Sequence, residues 1–195
     1  MLVAQAWLVN AGNIGLHRKL GYFAAGYAAV VVAGGLMATL NVVSRDLDMG
    51  ITFDVDMAEV APALGSGITY LAFISGVVWA NIAGVVTFAA LIATAISYRS
   101  RSDIHKRLIL VATVSILGPA LARISRIEVL GSEQGPFTPL VLLFLLATIL
   151  FYDWYALRRI HRASLLAVVS AIALSVFGTA ISQSELGLRF VRSLA

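Results

Sequence analysis

Apolar residues along this chain neither alternate with polar ones nor recur on a single helical face. They run on for roughly 18 residues or more at a time, broken by short charged clusters. Runs of that length match the hydrocarbon core of a bilayer, which a helix crosses in about 20 residues. Five are present, at about 20–43, 68–98, 108–130, 139–156 and 164–181. The pattern predicts an all-α fold, a polytopic transmembrane helical bundle of five spans forming one integral membrane domain over 1–195. The short alternating segments of a membrane β-barrel are missing, as are repeats, low-complexity tracts and any stretch resembling a soluble domain.

The punctuation refines these spans. The first follows His17-Arg18-Lys19 and stops at Ser44-Arg45-Asp46. The second is longer than a perpendicular crossing needs, so it is expected to tilt or to begin in the interface near Tyr70. Ser102 is the expected N-cap of the third, Pro119 its expected kink, and Pro139 a good first-turn residue for the fourth. Met1 to Leu16 carries no positive charge, so no cleaved secretory signal is expected and the first span is retained.

Composition agrees. Hydrophobic residues make up 60% of the 195 and charged ones 12%, with a mean hydropathy of +0.93. An ordinary soluble domain is about 25% charged. With no cysteine there is no disulfide framework, thiolate metal site or cysteine nucleophile.

The net charge of +4 becomes informative once it is divided between the two ends of the spans. Arg18, Lys19, Arg99, Arg101, Lys106, Arg107, Arg158, Arg159 and Arg162 fall at one end, with only Asp103 and Asp153 as acids, net +7. The remaining five cations and eight acids give −3. Under the positive-inside rule this places the chain in the cell inner membrane as a multi-pass protein, N-terminus cytoplasmic and, after five crossings, C-terminus outside. Membrane lipid is the first partner implied, with other membrane subunits next. Nucleic acid is not, because no soluble module carries the basic charge. Tyr98, Tyr152, Trp154 and Tyr155 at the same end form an interfacial aromatic belt.

Helices in lipid associate through close contact at small residues and a few hydrogen bonds. Gly76, Ala80 and Gly84 in span two, Ala163, Ala167, Ala171, Ser175 and Thr179 in span five, and Ala25, Ala29 and Ala33 with Gly34 and Gly35 in span one are the expected packing stripes.

Candidate chemistry lies at both ends. All three histidines, His17, His105 and His161, fall at the basic end, with Asp153 two turns before His161 on what would be the same helical face if the helix continued. An ionised carboxylate at the edge of the hydrocarbon needs a partner, for which Arg18, Arg107, Arg158, His17 and His105 are candidates. The imidazoles could ligate a divalent metal with Asp153 as ligand or orienting group, or two of them could hold a haem b. Neither an HExxH motif nor any pair of histidines at i and i+4 is present. The plain alternative is that these histidines contact headgroups or cap helices. At the opposite end Asn41, Asn81, Arg123 and Arg126, with Tyr70, Glu128 and the acids from Asp46 to Glu59, could line an outer polar pocket suited to a quinone head or lipid phosphate. The alternative there is that both arginines snorkel.

The segments Leu16-His17-Arg18-Lys19-Leu20-Gly21 and Asp103-Ile104-His105-Lys106-Arg107-Leu108 each open a span. They resemble motifs of small bacterial polytopic membrane proteins without a settled activity, distantly similar to cytochrome oxidase assembly proteins and b-type cytochrome bundles. By position the resemblance implies His17 and His105 as the residues of interest, and three histidines admit at most one bis-histidine haem. The expected function is an accessory or assembly component of a respiratory or other redox complex, with a haem or metal site at the cytoplasmic face. A redox or metal-dependent membrane enzyme using the same histidines is the competing class, and a quinone- or lipid-binding protein the third.

Overall fold

The computed structural model describes residues 2–60, 67–124 and 137–195. A short helix, α1 (Leu2–Asn10), turns through Gly12 into α2 (Ile14–Leu40), whose first turn is capped by the Asn13 side chain accepting from the Leu16 amide at 3.1 Å. Helix α2 therefore begins earlier than hydropathy alone suggests, and His17, Arg18 and Lys19 ride on it. After a hitch at Asn41 the chain continues as α3 (Val42–Asp48), then α4 (Met57–Val60) and the long α5 (Tyr70–Ser97). Two helices, α6 (Ser102–Ser115) and α7 (Gly118–Ile124), bend by 47° at their junction. Pro119 sits in the first turn of α7, where its missing N–H leaves no helical bond unmade. The chain closes with α8 (Phe137–Leu157), α9 (Arg162–Ser182) and α10 (Glu185–Arg192).

The expected helical membrane architecture is present. Four helices are long and apolar enough to cross a membrane, or five when the bent α6–α7 pair counts as one span. Their surfaces are turned inside out relative to a soluble bundle: Phe23, Tyr27 and Met37 on α2, Phe144 and Phe151 on α8, and Leu166 and Phe177 on α9 are all exposed. Between helices already bathed in hydrocarbon, packing and interhelical hydrogen bonds hold the bundle.

Helix α5 is the centre, packed on α2, α6, α9 and α10, while α8 lies at the periphery against α6, α7 and α9. Two apolar cores form along it. One joins Phe88, Leu91 and Ala95 to Val111 and Ala112 of α6 and Ala167 and Ala171 of α9. The other, toward the acidic loop, joins Tyr70, Ile74 and Val78 to Val43, Met57 and Val191.

Of the small residues in span two, Gly84 is the one in intimate contact. A Cβ there would lie 2.7 Å from the Ser115 carbonyl oxygen of α6, whereas a Cβ on Gly76 would meet nothing within 4 Å. The three-residue stripe thus does not act as a unit, because the bundle places Gly76 away from any neighbour. On α9 the buried line is Ser164, Ala167, Ala171, Gly178 and Ser182, and a Cβ on Gly178 would lie 3.0 Å from the Trp79 carbonyl oxygen. Ser75 donates to the Ser182 carbonyl at 2.7 Å, tying α5 to the end of α9.

Candidate functional site

The basic end is built around one buried ion pair. Arg107 of α6 and Asp153 of α8 are 5% and 2% exposed, so each would be costly alone and the pair is buried as a neutral unit. The guanidinium grips the carboxylate side-on: Nη2 donates to Oδ1 at 2.7 Å, and Nε lies 3.0 and 3.1 Å from the two oxygens. Its third nitrogen, Nη1, donates to the Asp103 carbonyl at 2.6 Å, one turn earlier on α6. Asp153 Oδ2 also accepts from the Ser164 hydroxyl at 2.5 Å and the His161 amide at 3.3 Å. A single carboxylate thereby ties α6, α8 and α9 together, with every donor aimed at it satisfied.

Local structure explains this placement. Helix α8 stops at Leu157 because Arg158 adopts φ 54°, a left-handed conformation that ends helices. The chain then turns so that His161 becomes the N-cap of α9, with Ser164 in its first turn. Asp153 and His161 do not share one helical face, as uninterrupted periodicity would have it. The turn carries the His161 backbone back to Asp153 instead.

Two of the three histidines serve as caps. His161 Nδ1 accepts from the Ala163 amide at 3.1 Å, so the neutral ring carries its proton on Nε2, which lies 3.2 Å from Asp103 Oδ2. His105 Nδ1 donates to the Ala95 carbonyl at 2.7 Å, satisfying one of the carbonyls that the end of α5 leaves without a helical partner. His17 sits on α2, which packs on α1 and α5. Its Nδ1 and Gln5 Oε1 of α1 are both buried without a hydrogen-bond partner.

These placements give the metal expectation no support. Among the described residues no group of three or more His, Asp and Glu side chains is gathered as a metal ion would require. Asp153 is spent on Arg107, Ser164 and the His161 amide, and both ring nitrogens of His161 are engaged. The set His17, His105, His161 and Asp153 is therefore not assembled as a divalent-metal site. The pairing of imidazoles on a haem b finds no support either, since the resolved contacts of His105 and His161 are those of helix caps.

Of the residues expected to line the outer pocket, Glu128 and Arg126 lie outside the described residues, and the others are placed individually. Asn41 caps α2, its side-chain amide donating to the Met37 carbonyl at 2.7 Å. Tyr70 is buried, and its hydroxyl donates to Asp46 Oδ2 at 2.9 Å while Arg45 holds Asp46 Oδ1 at 2.8 Å. Asn81 is half-buried on α5, and Arg123 is exposed at the end of α7. In the acidic loop, Asp56 accepts from the Ala58 amide at 2.9 Å and the Gly67 amide at 2.8 Å, and these two bonds hold its carboxyl below the ordinary value of 3.8.

Ser164 and Asp103 are the participants that sequence reading passed over. The available signal for Ser164 was its place three residues after a capping His161, where a first-turn hydroxyl stays near the preceding helix end. Beside the clasp, a groove of about 720 Å³ opens between α5, α6 and α9, with Arg101, Arg159 and Arg162 on its walls. Comparison of the chain with protein families, curated proteins and solved structures finds no match.

Proposed function

We propose that this chain is a multi-pass inner-membrane protein, N-terminus cytoplasmic, that serves as a non-catalytic accessory or assembly component of a larger membrane complex. The observation that carries this reading is the use made of Asp153. The buried carboxylate that could have served as a base or ligand is consumed in holding three helices in register. One cation of the basic end, Arg107, thus goes into holding the fold, while α2 and α8 present broad apolar and aromatic faces outward. A rigid bundle with large hydrocarbon-facing surfaces is suited to docking beside other transmembrane helices, where association depends on van der Waals fit.

The test is native electrophoresis of mildly solubilised membranes containing the tagged full chain. A band of defined composition, larger than the 20.7 kDa chain and containing other membrane subunits, is the expected result. Migration only as the free chain would overturn it, as would turnover of a quinone analogue that disappears in Asp153→Asn while helicity is retained.

A further inference from the structure

The groove between α5, α6 and α9 has two unlike parts. Its mouth carries Arg101, Arg159 and Arg162, all exposed, against the single carboxylate of Asp103, which is already in contact with His161. None of the three arginines forms an ion pair with a described carboxylate. The Arg101 guanidinium stands 6.0 Å above the Tyr98 ring, which props it at the groove rather than letting it trail into water. The inner part is mainly apolar, lined by Leu91, Leu108, Leu166 and Ala167, with the hydroxyls of Thr94 and Ser170 bonded back to the Ala90 and Leu166 carbonyls of their own helices. Leu166 is 67% exposed on the hydrocarbon-facing side of α9, so the groove opens sideways toward lipid as well as toward the polar face.

We infer that this groove is a binding site for one anionic phospholipid, its phosphate held by Arg101, Arg159 and Arg162 and an acyl chain lying along Leu91, Leu108 and Leu166. Arginine matches a phosphate through its planar array of donors, and three arginines opposed by one occupied carboxylate leave uncompensated positive charge at headgroup depth. A soluble anion would use the mouth alone and leave the apolar inner part wet. A zwitterionic lipid would fill the inner part and leave the arginines without a net counter-charge. The anionic phospholipid satisfies both halves. This assignment is independent of the assembly reading, because the groove is complete within one chain.

The experiment is native mass spectrometry of the delipidated full chain in detergent, titrated with phosphatidylglycerol or with phosphatidylcholine of the same acyl chains. One retained phosphatidylglycerol per chain is expected, with weaker retention of phosphatidylcholine. Removing each groove arginine as Arg101→Gln, Arg159→Gln or Arg162→Gln should weaken retention about fivefold. Lys106→Gln, on the same basic end but outside the groove, should leave it unchanged. Circular dichroism and gel filtration establish that each variant is folded, and three single variants keep the test decisive if one is not. Equal retention of both lipids, loss in Lys106→Gln equal to that in the groove variants, or thermal stabilisation by inorganic phosphate alone matching that by phosphatidylglycerol would each overturn the assignment.

Discussion

Asp153 shows how much one side chain can decide in a membrane protein. Its burial is tolerated because Arg107 neutralises it and Ser164 and the His161 amide satisfy the remaining acceptor positions. Removing one partner leaves the other charge stranded, a loss of roughly 3–5 kcal/mol. Asp153→Leu should therefore lower the unfolding midpoint in detergent sharply, and the pair Arg107→Met with Asp153→Leu should recover most of the loss. Equal damage in the single and double variants would mean that the charge pairing is not what matters. Asp56 offers a pH-dependent counterpart outside the spans. Its carboxyl is held below 3.8, chiefly by the Ala58 amide and then by the Gly67 amide. A depressed folded-state value means that the unfolded chain takes up the proton first as pH falls, so the stabilisation is complete above 3.8 and is lost as pH drops below it. Unfolding midpoints of the wild type and Asp56→Asn should differ by a constant amount at neutral pH and converge in acid. A difference that persists through the acid range would show that the charge of Asp56 does not hold the loop.

At the scale of elements, the α5–α6 contact rests on a close approach that a single glycine permits. In Gly84→Leu the new side chain would collide with the Ser115 carbonyl, a backbone atom that cannot swing aside. Overpacking of this kind costs about 1–3 kcal/mol. Thermal unfolding in micelles should show that loss, while Gly76→Leu, facing open space on the same helix, should stay close to wild type. Damage from both would mean that the whole stripe is buried in an assembly. Sequence periodicity made these two glycines equivalent. They differ because only one faces a neighbouring backbone, and that depends on how α5 is rotated about its own axis. The helix boundaries were legible only in part: Ser102, the expected N-cap of the third span, already lies inside α6, whose cap position falls on Arg101 with no side-chain bond, and the caps that do form elsewhere were not foreseen. Asn13 and Thr69 are polar residues at the edges of apolar runs, and each accepts a backbone N–H of the first turn that follows. Arg158 was not legible as a helix stop, because its left-handed backbone is imposed by the turn that brings α9 back against α8.

For the molecule as a whole, the charge division is the basis of the proposed orientation, which a reporter tests directly. If α6 and α7 together cross once, five crossings separate the termini, and a C-terminal reporter active only outside the cytoplasm should be active. The same reporter active only inside would reverse the orientation or make the α6–α7 bend a re-entrant turn. The location of the spans, the enrichment of cations at one end and the need of Asp153 for a cationic partner were all readable along the chain. Hydropathy and the cost of an unpaired charge in lipid are local properties, set by residue type and depth. The choice of Arg107 over Arg18 or Arg158, the conversion of His105 and His161 from candidate ligands into helix caps, and the groove that gathers Arg101, Arg159 and Arg162 were not readable. Each depends on the rotation, tilt and bending of helices packed against partners distant in sequence, which no run of apolar residues encodes by its length.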